Sequence, residues 1–555
     1  MAKNRKKNSG SEGDAGQSAE ERGGISRRAL LTGGASAALA VAAGAVGLRG
    51  QVTGLMPGGG KVPFRLPMGA LPYLDQKQYI HNMEIHAHLS GASISGGEPL
   101  MAMWAKGKQR MLPGGAGWVD ISEGKNPVVV KTEARAGGAV AYNNKLKKWI
   151  SMATAASPLT SASPEFPYGQ YDKPLRDKAL SYKGLRGIRT FDVTDPRKPV
   201  LLEEFSTGEK GMGTHMNFYD GGKYAYLECA WDDQLRMENA QRPMSHGLMI
   251  VDLSDPAHVK EVSRWWVPGQ RLGEEEEYKK YPFAGDETSW TSAHGAMSVP
   301  KRPEDGGTIG YAGFGAFGMY VMDLTDITKP KPMGHLRYQY ETMGGIPFHT
   351  CYPIIADATH PRLQNLVIGV PETLQADCRE PYKIPYVVDV KDPRNPHVIG
   401  LFPRPVAPKD APYPDFCMAR GRFGSHNTQC WLAPGLSRPN IMAITWFNAG
   451  IRIFDLSNPT APKEVASFVP PRDGQMENYE SWWRGTSENV FVEWDRNLIW
   501  LGTHEGTYCL STPALGKPLF EPRKIEKWSV AHCNVGWDDQ TAASVYFGRS
   551  LSEMV

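Results

Sequence analysis

Short apolar runs rich in β-branched and aromatic residues alternate with polar clusters of Gly, Pro, Asp and Ser through most of the chain, which predicts an all-β protein. One unit of this pattern recurs. In Gly187-Ile-Arg-Thr-Phe-Asp192-Val-Thr-Asp195-Pro196-Arg-Lys-Pro199-Val200 an apolar strand closes on Asp, a turn built on Asp-Pro and a second Pro reverses it, and another apolar strand leads away. Copies align on the Asp that ends the first strand, at Asp120, Asp192, Asp252, Asp323, Asp389 and Asp455, spaced 60 to 72 residues apart. Thr507-Tyr-Cys-Leu-Ser-Thr-Pro513 is a degenerate seventh. Units of this size cannot bury their own apolar faces and must stack on their neighbours.

Each period holds four strand-like runs, the pattern of a four-stranded antiparallel blade. Seven hairpins predict a seven-bladed β-propeller, with six or eight blades as the neighbouring solutions. The sequence after Asp120 and the tail after His532 are expected to build the closing blade jointly. Residues 1–50 read as a targeting segment, 51–117 as an N-terminal extension that starts the closing blade, and 118–555 as the propeller.

The hairpin Asp-x-Ser/Thr-Asp/Asn-Pro-x-x-Pro after an apolar strand resembles the LVIVD repeat of secreted bacterial β-propellers, from about Trp118 to Thr512. The resemblance implies a propeller and an extracytoplasmic address. It leaves the reaction open, so function has to be argued from a site.

Composition narrows the setting. With 22% charged residues and a net charge of +3, nothing points to a nucleic-acid partner, and the acidic run Glu274–Glu277 reads as a solvated loop. Ser26-Arg27-Arg28-Ala29-Leu30-Leu31 opens an Ala/Gly-rich apolar stretch to about Leu48, which resembles a twin-arginine export signal with Ala43-Gly-Ala45 as a cleavage site. Periplasmic or secreted localisation follows as the expectation, with membrane association only through an uncleaved signal. Seven cysteines leave at least one thiol unpaired within the chain. Cys378 and Cys417 lie in loop-like sequence and are a candidate disulfide, while the others read as buried.

Histidine placement carries the candidate chemistry. His215, His294, His349 and His426 each stand where the chain, having left a hairpin and crossed a loop, enters the next innermost strand; His532 matches the same place. Neighbouring blades would bring these five together at one channel mouth, with Glu488 in the same register. If strands alternate strictly, Asn217, Ala296, Cys351, Thr428 and Asn534 face the channel too. The turns between second and third strands, holding Glu228, His246, Glu372, Asn448, His504 and Glu505, fall on the same face, and the Asp-Pro hairpins on the other. His86 and His88, two apart in His81-Asn-Met-Glu-Ile-His86-Ala-His88, add a candidate pair of ligands.

Imidazoles packed on one axis without a partner ion are costly to desolvate and repel one another once protonated, so the ring reads as a metal site. Imidazole suits copper, iron, nickel or zinc; the Cys351 thiol and an oxidising compartment favour copper, with iron or zinc as alternatives. Carotenoid-cleaving oxygenases, methanethiol oxidases and thiocyanate dehydrogenases, with His-lined propeller channels, are similar in kind and imply an oxidoreductase. The expectation is a metal-dependent oxidoreductase acting on a small molecule, served by a periplasmic electron acceptor. Glu488 and His504 are the candidate catalytic groups. A metal-dependent hydrolase or lyase, or a non-catalytic envelope-binding module, are the other readings.

Overall fold

The computed structural model describes residues 68–518 apart from 95–102, 107–108, 116, 135, 144, 156–179, 237–244, 286–288, 339–343, 357–358, 430–437 and 473–486, together with the backbone of 52–53 and 63–64. The targeting segment, Cys430, His532, Cys533 and Asn534 lie outside the described residues. Seven antiparallel sheets form the blades, and all belong to one unit spanning Thr53–Val555. Blade 1 comprises Trp104–Lys106, Gln109–Gly114, Gly117–Asp120 and Val128–Lys131. Blade 2 holds Ala139–Asn143, Lys148–Thr154, Gly187–Asp192 and Val200–Ser206, and blade 3 holds Gly213–Tyr219, Tyr224–Ala230, Gly247–Asp252 and Lys260–Trp265. Blade 4 is Ile309–Gly313, Met319–Asp323 and Lys331–Leu336; blade 5 is Ile346–Pro353, Leu366–Glu372, Tyr386–Asp389 and His397–Leu401.

The last two blades borrow their outer strands from the N-terminal side. Blade 6 pairs Ile441–Thr445, Ile451–Asp455 and Lys463–Val469 with Tyr79–His81. Blade 7 pairs Ser487–Glu493, Leu498–Thr503 and Gly506–Ser511 with Glu84–Ser90. The ring is therefore closed by Glu84–Ser90 satisfying the free edge of Gly506–Ser511, while the stretch after Asp120 belongs to blade 1 and the tail after His532 lies outside the described residues. Blade 1 is complete from its own sequence, beginning before Gly117. Among the described residues no helix is long and apolar enough to cross a membrane. The acidic run is not a loop: Glu275–Tyr278 forms one helical turn.

The recurring hairpin has a local cause. Its first Asp accepts from the backbone N–H two residues on, Asp192 from Thr194 at 2.9 Å, Asp252 from Ser254 at 2.7 Å, Asp389 from Lys391 at 2.7 Å and Asp455 from Ser457 at 2.8 Å. The second does the same, Asp195 to Arg197 and Asp392 to Arg394. Each carboxylate thus replaces backbone partners that the turn removes. A register shift follows one or two residues before the first Asp in blades 2 to 6, twisting the exposed outer strand away.

The histidines sit at irregularities of the inner strands. Pairing skips between Thr214 and Asn217 in blade 3, between Ile346 and Thr350 in blade 5, and between Ser487 and Asn489 in blade 7. Blades 4 and 6 replace the inner strand by isolated bridges, Ser298 with Tyr311 and Thr428 with Ile444. Bulges re-aim side chains, and strict alternation fails there. Cys351 consequently packs in an apolar cluster with Phe348, Tyr386 and Val388, and burial pushes its thiol pKa up. Asn217 donates to Thr154 of the adjoining blade, and Thr428 donates to Ala443.

Between blades 7 and 1, Arg110 bridges Glu493 at 2.5 Å and Asp495 at 2.6 Å, and both carboxylates are 0% exposed. Arg496 and the Trp500 indole N–H also bind Glu493. Burial alone would raise the Glu493 pKa, but Arg496 and Arg110 hold it below the ordinary carboxylate value. Removing one partner of a buried ion network costs about 3–5 kcal/mol, so Arg110→Ala should lower the unfolding free energy by that order in denaturant titration. Because the folded pKa is depressed, this contribution is complete above the unfolded value of about 4.3 and is lost as pH falls through the folded value. Wild type should therefore lose stability below about pH 4 more steeply than Arg110→Ala.

Candidate metal centre

Four imidazoles from consecutive blades meet on the inner face. Ring centroids of His215 and His294 are 4.8 Å apart, His294 and His349 4.8 Å, and His349 and His426 5.1 Å. Three of them aim Nε2 at one carboxylate. Glu372, last residue of the second strand of blade 5, has Oε2 3.3 Å from His294 Nε2 and 3.4 Å from His349 Nε2, and Oε1 3.7 Å from His426 Nε2. Arg422, from the loop leading to His426, donates to the Oε1 of Glu372 and to Thr373 O.

Two more carboxylates stand behind the rings. Glu228 Oε1 lies 3.6 Å from His294 Nδ1 and 3.1 Å from His246 Nδ1, while its Oε2 accepts from the backbone N–H groups of Met216 and Gly295. Glu488 Oε2 is 2.8 Å from His426 Nδ1 and its Oε1 2.9 Å from His504 Nε2. At His426 the carboxylate on Nδ1 fixes the tautomer that leaves Nε2 free as a donor, an arrangement typical of metal-bound histidine, whereas Glu228 approaches His294 Nδ1 without a hydrogen bond.

His349 has no such backing. It is 0% exposed, and neither ring nitrogen makes a hydrogen bond. Leaving two buried polar atoms unsatisfied costs about 1–3 kcal/mol each, which an ion at Nε2 would relieve on one side. The spacing suits one: a tetrahedral centre with bonds of about 2.1 Å separates its donors by roughly 3.4 Å. His294, His349 and Glu372 can offer donor atoms all within 4.8 Å of one another.

Charge points the same way. Glu228, Glu372 and Glu488 bring three carboxylates to a buried site that the Arg422 guanidinium also enters. A divalent cation would offset their charge. Burial drives the His349 pKa well below the ordinary imidazole value, keeping it a neutral donor. Burial opposes ionisation of Glu372, but Arg422 and the facing imidazoles hold its carboxyl well below the usual range. At His426 burial acts to lower the pKa, and Glu488 with Glu372 more than reverses it. Glu488 is in turn held low, against its burial, by His426 and His504.

Of the residues expected at the site, His215, His294, His349 and His426 are brought together, with Glu488 and His504 beside them. His504 side chain is 39% exposed and opens this edge to solvent. His86 and His88 are elsewhere, on the outermost strand of blade 7; His86 Nε2 is 2.8 Å from Ser511 Oγ and His88 stacks on Tyr508 at 4.0 Å. On the outer strand Glu84–Ser90, this pair does not join the channel cluster. His532 lies outside the described residues. Sequence reasoning put Glu228, His246 and Glu372 on the correct face without giving them roles, and it missed Arg422.

The fold and this cluster define a seven-bladed β-propeller with an imidazole–carboxylate centre on its inner face. Residues 244–266 and 444–469, which span Gly247–Asp252 with Lys260–Trp265 in blade 3 and Ile451–Asp455 with Lys463–Val469 in blade 6, match the LVIVD repeat. No curated protein matches the sequence. Among solved structures, the β-propeller domain of Cps50 (Swd1) from Myceliophteria thermophila is similar, with 9% identity, 76% of this chain and 99% of that chain covered, and a TM-score of 0.38.

Proposed function

We propose that this propeller is an exported metal-dependent oxidoreductase, with one transition-metal ion held by His294, His349 and Glu372 and flanked by His215 and His426. The observation that carries the reading is the convergence of three Nε2 atoms on the Glu372 carboxylate, around a fully buried His349 that has no hydrogen bond. The donors are imidazole and carboxylate. With Cys351 packed away in the apolar cluster, the case for copper loses its thiol, and two imidazoles with one carboxylate favour iron, with copper next. Such an ion, when bound, would take electrons from a coordinated small molecule and pass them to a periplasmic acceptor.

The protein groups hold and orient. Glu488 fixes the tautomer of His426, Arg422 fixes Glu372, and the solvent-facing His504 with Glu488 can accept a proton released by a substrate at the mouth. A Cys378–Cys417 disulfide supports an oxidising compartment, in keeping with the paired arginines at Arg27 and Arg28. The same donor set also occurs at hydrolytic zinc centres, which favours a hydrolase as the second reading.

Metal analysis of protein exported and purified without chelator tests the proposal. About one ion per chain is expected of a preformed site, and less than about 0.2 would overturn it. Visible absorbance or an electron paramagnetic resonance signal would support iron or copper; a colourless zinc protein would support hydrolysis.

A further inference from the structure

Phe447 adopts φ +34°, a left-handed conformation that a bulky side chain reaches only under constraint. It lies in the turn between the first two named strands of blade 6. Trp446 N–H donates to Gly450 O at 2.6 Å, Ala449 N–H to Trp446 O at 2.7 Å, and Gly450 N–H to Phe447 O at 3.0 Å. Asn448 ties the turn to the Arg422 loop, its N–H donating to Arg422 O and its side chain to Phe416 O and Arg420 O. Strain of this kind persists only where the surroundings over-determine it, and it gathers at functional sites.

What the conformation achieves is contact with two groups of the centre. The phenyl ring is fully buried; its centroid is 3.7 Å from the Arg422 guanidinium carbon, and it stacks on the His426 imidazole at 4.9 Å with planes 24° apart. The ring's negative face favours the cation. It thereby holds the guanidinium that grips Glu372. The ring also opposes rotation of the imidazole whose Nδ1 meets Glu488 and whose Nε2 faces Glu372. The Phe447 carbonyl also accepts from Ser487 N–H at 3.2 Å, anchoring the strand that carries Glu488.

We infer that Phe447 is a positioning residue of the metal centre: through its strained backbone and stacked ring it fixes the orientation of His426 and the grip of Arg422 on Glu372, and so sets the geometry offered to the ion. The inference rests on the metal-centre reading. Trp446, its neighbour, gives the control, because this fully buried side chain packs against Phe454 and donates to Tyr382.

The test is titration of metal-stripped full-length protein with cobalt(II), followed by its visible spectrum. Phe447→Leu keeps apolar bulk and loses the plane. It should bind roughly 10- to 100-fold more weakly, as loss of an outer partner does, with altered ligand-field bands. Trp446→Phe should lower the melting temperature and leave affinity and spectrum as in wild type. Should Phe447→Leu misfold, Phe447→Met carries the same expectation. Wild-type affinity and spectrum in a folded Phe447 variant, or equal changes in Trp446→Phe, would overturn the inference while leaving the metal centre standing. A wild type that binds no cobalt would overturn both.

Discussion

His349→Ala should yield a folded propeller that retains no metal. The ring stands within the row, between His294 and His426, and both of its nitrogens lack hydrogen bonds. It packs against its neighbours and approaches Glu372 at 3.4 Å, and a ligand bond at Nε2 would complete these contacts. The loss of metal affinity should exceed the roughly 10- to 100-fold that removing an outer partner costs. Stability should fall by an amount set by the vacated volume alone, of order 2 kcal/mol, because no hydrogen bond is broken. Metal content after dialysis against chelator-free buffer, read beside a cooperative melting curve, checks both. A folded variant with a full complement of metal would remove His349 from the ligand set.

The blade count and the His row were legible because both repeat. Each hairpin Asp makes its own turn, so the residues that cause the motif are also the residues that reveal it. Measured from those Asp positions, His215, His294, His349 and His426 fall at equivalent places, and the structure brings them within 5.1 Å of one another, ring to adjacent ring. The ring closure was not legible, since Glu84–Ser90 pairs with Gly506–Ser511 across more than 400 positions and carries no repeat signature. Strict alternation misled at Cys351, because a bulge beside His349 changes the phase of everything after it.

The carboxylate at the centre was half-visible. Leu366 pairs with Asp389 and Ile441 with Asp455; six residues on from each stand Glu372 and Phe447. His504 follows Ile499, which pairs with Leu510, at the same level of blade 7. Three successive blades therefore place a working residue at one register, and counting from the hairpins would have found it. Differing residue types hid the equivalence. Arg422 has no such address, as it arises from an irregular loop and is recognisable only by the charge it meets.

That charge makes Arg422→Leu the most informative stability experiment. The substitution keeps apolar contact with Phe447 and leaves Glu372 buried with its guanidinium gone. Removing one partner of a buried pair costs about 3–5 kcal/mol, and the metal-free variant should lose this much in denaturant titration. The loaded variant should lose less. If Glu372 binds the ion, the ion replaces part of the missing positive charge, so metal should raise the melting temperature of Arg422→Leu by more than that of wild type. Binding to the native state alone stabilises by about 4 kcal/mol at a thousandfold excess over Kd, enough to resolve the difference. An identical loss in both forms would mean that the ion does not feel Glu372. The carboxylate would then be a partner of Arg422 only, and the imidazoles would have to hold the metal unaided.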